Sequence, residues 1–334
     1  MKKSVSILIC SYNGKERLTE TLTSLSNLDI NSLDFVELVF IDNASTDGTL
    51  ELAEQTWKSL KIPFAAKFEK ELSPGKLIAQ EKGISICEGE FILICDDDNS
   101  LNKDYLQIGI KIFENNPQVG VIGGCGIPAS TVSIPKWFNE YAYNYACAPQ
   151  AAKTGNVIPT RNVVYGAGMW FVKKYLENAK LLGVQFILPS RSGRKLTTGG
   201  EDSELCWAIK YLGYEIWYCA ELKFIHHIPE NRLNKNYLKK LMRGMKQNTP
   251  LGRIYLRVWK NKMVSPVKIY WLKEVVYTII SLAKILFSLN SQKGSASLYF
   301  NNLVYYLKNR SRYDKHFNSI ISYYKACTNK STNQ

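Results

Sequence analysis

The sequence predicts an α/β fold, with a mainly parallel sheet wrapped by helices over residues 1–230 and a basic, aromatic helical region over 231–334. Three observations predict it. Apolar strand-like runs alternate with helix-period segments through the first hundred residues, and no hairpin signal separates them. Two of those runs end in acid, at Asp42 and at Asp96-Asp97-Asp98, where ligands bind just beyond the carboxyl ends of such strands. Charge is segregated as well: residues 231–334 hold 20 Lys and Arg against two acids, Glu274 and Asp314, whereas the first 230 residues hold 23 bases and 27 acids.

The elements follow in order. Val5-Ser6-Ile7-Leu8-Ile9-Cys10 reads as a buried strand, and Leu18, Leu22 and Leu25 recur at one-face helical spacing. Phe35–Ile41 is a second strand; Asp42–Gly48 supplies the turn and cap chemistry for a helix over Leu50–Leu60. A third helix is expected from Gly75 to Cys87, then a short apolar strand, Phe91–Cys95. The stretch from about 120 to 200 is rich in Gly, Pro and aromatics, and reads as loops and short strands over the sheet. Periodicity returns at Glu204–Leu212, with Leu205, Ala208, Ile209 and Leu212 on one face, and the strand Glu215–Cys219 follows.

Composition narrows the function. With 46% hydrophobic and 22% charged residues the chain is of globular type, which excludes disordered and fibrous classes. The eight cysteines form no CxxC pair or zinc spacing, and the apolar start breaks at Ser11-Tyr12-Asn13-Gly14, too early for a signal peptide. A reduced, cytoplasmic protein is expected. The basic C-terminal third is suited to phosphates, whether of anionic lipid, nucleic acid or substrate.

Three constellations can carry chemistry. Three carboxylates in a row repel one another unless a cation sits among them; in an extended segment Asp96 and Asp98 would converge while Asp97 turned aside, a hard-oxygen pair suited to Mg²⁺ or Mn²⁺. Glu201 and Asp202 follow Gly199-Gly200 at the start of a helix, where they can either complement the helix dipole or accept a hydroxyl proton. His226-His227 end the apolar Phe224-Ile225, and an imidazole there could complete a metal site with Asp98.

In order along the chain, Ile7–Asn13, Phe40–Thr49, Gly89–Asn99, Val164–Met169, Gly200–Leu205 and Phe224–His226 resemble the family 2 glycosyltransferases, inverting enzymes of GT-A fold, here of the bacterial cell-surface glycan type. The resemblance covers about residues 4–230. It implies transfer of a sugar from a UDP- or GDP-linked donor to a hydroxyl of a glycan or a polyprenyl-diphosphate-linked acceptor, assisted by Mg²⁺ or Mn²⁺. Such a reaction needs charge neutralised on a departing diphosphate and a base for the acceptor hydroxyl. Carried over by residue, it implies that Ser11, Tyr12 and Asn13 line the nucleotide pocket and that Asp42 reads the base. Asp96 would touch the ribose or the metal, Asp97 would belong to the donor site, and Asp98 and His226 would hold the metal. Asp202 would be the base, positioned with Glu201, and Gly166, Gly168 and Met169 would lie in a floor beneath donor sugar and acceptor. Relatives often carry Ala-Arg-Asn in the third helix; here Ala79-Gln80-Glu81 stands, and Lys76 or a basic residue within Arg191–Lys195 is the expected substitute.

Residues 269–289 are rich in Ile, Leu, Val and Trp but are interrupted by Lys273, Glu274 and Lys284, too often for a spanning helix. The expectation is a helix lying on an anionic membrane at the inner face of the cell membrane; the alternatives are a short re-entrant or tilted span with Lys284 snorkelling, a homodimer contact or a packed helical cap. A nucleotidyltransferase would want a more basic, Gly-rich first loop than Ser11–Lys15. A nucleic-acid binder would account for the basic tail but not for the acids and the histidine.

Overall fold

The computed structural model describes residues 2–191, 199–287 and 293–331. The elements run β1 (Ser4–Ser11), α1 (Leu18–Ser26), β2 (Phe35–Asn43), α2 (Thr49–Leu60), β3 (Ala65–Glu71), α3 (Lys76–Ile86), β4 (Phe91–Ile94), β5 (Asn99–Leu101), α4 (Tyr105–Asn115), β6 (Val119–Ala129), α5 (Phe138–Tyr141), β7 (Gly155–Asn156), β8 (Met169–Val172), α6 (Lys173–Leu181), α7 (Glu201–Tyr211) and β9 (Glu215–His227). Four helices close the chain: α8 (Lys235–Lys260), α9 (Tyr270–Phe287), α10 (Lys293–Lys308) and α11 (Arg310–Ser331).

One sheet carries the strands in the order β3-β2-β1-β4-β8-β6-β9-β5, with β7 against β9. Strands β1 to β4 pair in parallel, as the alternation of strands and helices requires. Farther along the sheet is mixed, because β8 lies antiparallel between β4 and β6, and β5 lies antiparallel on β9. The expected parallel pairing is therefore continuous only across β1 to β4, with one further parallel pair, β6 with β9. Three strands also differ from expectation. β3 is a half-exposed, charged edge strand with no apolar run to announce it. β6 is an eleven-residue strand inside the stretch read as loops, its apolar signal diluted by glycines. β9 extends the expected Glu215–Cys219 strand to His227.

Interior strands are apolar on both faces and feed two cores. Val5, Ile7 and Ile9 of β1 point into one, with Leu18, Leu22 and Leu25 of α1 and Trp170 of β8. Leu8 points into the other, with Ala79 of α3 and Leu205 and Ile209 of α7. The close approach of α4 to the sheet depends on Gly109, where a Cβ would lie 2.7 Å from the Trp170 indole.

A third core joins the C-terminal helices to the body. Trp207, Ala208 and Tyr211 of α7 pack with Tyr255 and Val258 of α8 and with Phe317, Tyr323 and Tyr324 of α11. Tyrosine hydroxyls stitch this contact: Tyr211 donates to the Tyr255 carbonyl at 2.6 Å, and Tyr323 to the Ala208 carbonyl at 2.7 Å. Helix α7 is thus covered on nearly every side. At its centre the buried Glu204 carboxylate accepts from Ile187 N–H at 2.6 Å, Leu188 N–H at 3.0 Å and the Tyr255 hydroxyl at 2.6 Å.

Burial drives the Glu204 carboxyl from an ordinary 4.5 up to about 7, against the pull of those three donors. The folded protein therefore keeps a proton that the unfolded chain loses between those values, so this group's contribution to stability is full below pH 4.5 and is lost as pH rises through about 7. Denaturant unfolding of wild type and Glu204→Gln across that window should give a difference that narrows with rising pH, by at most about 3 kcal/mol. A difference independent of pH would show that Glu204 does not titrate there.

Candidate active site

The carboxyl ends of β1, β2 and β4 open at the point where the strand order reverses about β1. Ser11 of β1 and Asp42 of β2 are register partners there. Asp42 is buried, and its Oδ1 has no hydrogen-bond partner. Tyr12 and Asn13 are half-buried in the loop that follows β1. Asn13 takes the left-handed conformation (φ 47°), donates its N–H to Ser45 Oγ at 2.9 Å, and accepts the Thr46 N–H on Oδ1 at 2.9 Å. The first loop is thereby laced to the second.

The acidic triplet does not continue as an extended strand. Asn99 N–H donates to the Asp96 carbonyl at 3.1 Å, closing a turn between β4 and β5. The turn is needed because β4 pairs with β1 and β8, whereas β5 pairs with β9 at the sheet's far edge. It splays the three carboxylates onto three sets of cations. Asp96 Oδ1 accepts from Lys76 Nζ at 3.0 Å. Asp97 takes a short hydrogen bond from Ser11 Oγ and a forked pair from Arg17, with Nη2 at 2.8 Å and Nε at 3.2 Å. Asp98 faces His226 Nε2 at 3.4 Å and Arg232 Nη1 at 3.0 Å.

The charges respond to these partners. Burial opposes ionisation of Asp98, but His226 and Arg232 hold its carboxyl far below the ordinary range. Burial likewise opposes the charged form of His226, yet Asp98 pushes the imidazole up to about 10. Asp97 rises above its usual range through burial and the neighbouring Asp98, despite Arg17.

Among the described residues no three His, Cys, Asp or Glu side chains gather as a ready-made metal cluster. The expected set of Asp96, Asp98 and His226 reduces to the last two, because Asp96 is drawn to Lys76 on the other side. That pair still fits a hard divalent cation: one carboxylate and one imidazole, both buried, leave positions for the water and phosphate oxygens that Mg²⁺ and Mn²⁺ retain. The guanidinium on the second oxygen of Asp98 marks the same carboxylate as a seat for positive charge. His226 must give up its proton to become a ligand.

Helix α7 brings the remaining acids. Gly200 occupies its cap position, and no side chain caps the helix. Asp202 does something else: its Oδ2 accepts the Gly166 N–H at 3.0 Å, while the buried Oδ1 has no partner. Only glycine fits at 166, since a Cβ would lie 2.2 Å from that carboxylate. Burial and Asp202 together raise the Glu201 carboxyl above its usual range. Lys76 ties the halves of the site together, for it is kept charged despite burial by Asp96, Asp202 and Glu201. Gly168 (φ 68°) presents its carbonyl to the Tyr105 hydroxyl at 2.7 Å, and Met169 is buried in the sheet core.

Where an arginine was missed in α3, Gln80 is buried with Nε2 lacking a partner. Lys76 stands at the first turn of the same helix, and Arg191 lies within electrostatic reach of Asp96 and Glu201. Arg194 and Lys195 lie outside the described residues. Two site residues were not anticipated. Arg17 sits in an ordinary-looking loop, and Arg232 is the first base of the C-terminal surplus, where a charge count merges it with the tail.

Comparison with known proteins gives a consistent family. Residues 6–176, just over half the chain, match the profile described as "Glycosyl transferase family 2". The poly(ribitol-phosphate) beta-N-acetylglucosaminyltransferase TarS of Staphylococcus aureus is 31% identical over 37% of this chain and 22% of its own length. The poly-beta-1,6-N-acetyl-D-glucosamine synthase of Staphylococcus epidermidis is 24% identical over 65% of this chain and 48% of its own. The chain thus spans about a fifth of the one and about half of the other. A crystal structure of TarS 1–349 with UDP-GlcNAc superposes with a TM-score of 0.54 at 16% identity, over 100% of this chain and 93% of that one. The mannosyltransferase PcManGT of Pyrobaculum calidifontis, in complex with GDP-Man and Mn²⁺, gives 0.51 at 17% identity, over 96% and 74%. At these identities the superpositions establish the fold.

The geometry predicts that Arg17→Met, which strands the buried Asp97, destabilises the protein by about 2 kcal/mol. Adding Asp97→Asn should recover at least half of the loss. Strictly additive single effects in a double-mutant cycle would mean that the pair is not coupled.

Proposed function

The chain belongs to glycosyl transferase family 2, a family of nucleotide-sugar glycosyltransferases, and on that premise we propose a metal-assisted, inverting transfer of a sugar from a UDP- or GDP-linked donor to a hydroxyl of a glycan or lipid-linked acceptor. One observation carries the reading: Asp96, Asp97 and Asp98 beyond β4 are paired with Lys76, Arg17, Arg232 and His226, and Lys76 also lies within electrostatic reach of Asp202 and Glu201 at the head of α7. Residues 1–230 form the catalytic part in this reading, and 231–334 the surface-contact part.

Ser11, Tyr12 and Asn13 line the nucleotide pocket, and the free Oδ1 of Asp42 accepts from the base. Asp96 lies toward the ribose, held by Lys76, and Asp97 fixes the first loop through Ser11 and Arg17. Asp98 and His226 hold Mg²⁺ or Mn²⁺, which when bound supplies charge neutralisation for the diphosphate. Arg232 and Lys76 contribute positive charge to the same end, the work expected of the arginine that α3 lacks.

Asp202 is the base. Its Oδ2 is fixed by Gly166 N–H, so its partnerless Oδ1 is the lone pair left to receive the acceptor's proton. As that proton moves, the acceptor oxygen bonds to the sugar's anomeric carbon from the face opposite the diphosphate; the old C–O bond breaks and the nucleoside diphosphate leaves with its electrons. Glu201 stands beside Asp202 at the head of α7, its carboxyl raised above the usual range by burial and by Asp202. Gly166 and Gly168 let substrate approach the backbone, with Met169 supporting them from the core. The family selects glycosyl transfer over nucleotidyl transfer or nucleic-acid binding.

Two variants separate these roles. Asp202→Asn should bind donor as wild type does while turnover drops by about 10²–10⁴-fold; weakened donor binding with preserved turnover would remove Asp202 as the base. Asp98→Asn should weaken donor binding measured calorimetrically with Mn²⁺ and change it little without the metal. Equal weakening in both conditions would remove Asp98 from the metal.

A further inference from the structure

Helix α9 is apolar on both sides. Its packed side places Tyr270 and Val275 in the third core and also buries polar groups: Glu274 lies on Arg257, with Nε at 2.7 Å and Nη2 at 2.9 Å, the Tyr306 hydroxyl lies at 3.4 Å from it, and Thr278 is fully buried. Its outward side carries Leu272, Val276, Ile279 and Ile280, each about half exposed and spaced as one helical face. Lys273 and Lys284 are exposed beside that stripe. A helix of a water-soluble surface turns polar residues outward, and a continuous exposed apolar stripe marks contact with something apolar.

Charge indicates what that is. Residues 231–334 carry a net +18, and both of their acids are engaged internally: Glu274 on Arg257, and Asp314 accepting the Trp271 N–H at 2.9 Å. A second copy of the chain seated here about a two-fold axis would set lysines against lysines with no carboxylate to neutralise them. Anionic headgroups neutralise the lysines, and acyl chains accept the apolar side chains. No helix among the described residues is long and apolar enough to cross a membrane. We propose that the outward face of α9 is a docking surface for an anionic phospholipid bilayer. The proposal deepens the membrane-surface reading of the acceptor and, for its biological purpose, rests on it.

The test floats the full-length protein with vesicles of phosphatidylcholine alone and of phosphatidylcholine mixed with phosphatidylglycerol. Wild type should rise with the mixed vesicles and stay behind with the neutral ones. The triple variant Val276→Ser, Ile279→Ser, Ile280→Ser should lose binding at least tenfold, and Lys273→Gln with Lys284→Gln about fivefold per lysine. Metal-dependent hydrolysis of a UDP- or GDP-sugar in detergent-free solution should be unchanged in both variants. Wild type left behind by mixed vesicles, or a triple variant that still binds them, overturns the docking surface while leaving the catalytic reading to its own assay. Wild type that is dimeric in solution and converted to monomer by the triple variant overturns it in favour of a second copy.

Discussion

Three consecutive carboxylates at the end of a buried strand dominate the physics of this molecule. At about 5 Å apart and an effective dielectric near 20, each pair repels by about 3 kcal/mol, so the triplet is tolerable only with cations supplied from elsewhere. Lys76 comes from α3, Arg17 from the loop after β1, and His226 and Arg232 from the end of β9 and the turn beyond it. Segments more than 200 residues apart are thus pinned to one turn of four residues. The turn so assembled interleaves anions and cations from four parts of the chain.

The second constraint is the placement of α7. A helix apolar or aromatic on nearly every side needs cover on every side, and the C-terminal helices provide it through Tyr211, Tyr255 and Tyr323. The buried Glu204 fastens the same helix to the segment at 187–188 that leads toward Arg191. Asp202 and Glu201 at the head of α7 therefore sit on a rigid support. The basic region is in this respect a structural cap, and the apolar stripe on α9 is one part of it left exposed.

Strands β1, β2 and β4 and helices α1, α2, α3 and α7 were legible from continuous apolar runs and helical spacing, and the acids were legible as clusters at strand ends; the interior strand β6 was not, its apolar run being diluted by glycines. β3 was not, because an edge strand such as Ala65–Glu71 need not be apolar. Nor was the turn at Asp96–Asn99, since alternation along an extended chain is a local rule and the turn is imposed by β5 pairing with a strand more than 120 residues away. The same holds for the cations. Arg17 and Arg232 have no local signature; their meaning lies in which carboxylate each meets, and that is set by topology.

The central claim is that Asp98 and His226 belong to one cation seat, held in this structure by the Arg232 guanidinium. The most direct measurement is an anomalous difference map at the manganese edge from crystals grown with Mn²⁺ and a nucleoside diphosphate. The account predicts a single peak flanked by Asp98 and His226, with Arg232 moved from Asp98 onto the diphosphate. A peak remote from both residues, or nucleotide bound while Arg232 keeps its grip on Asp98, would contradict it.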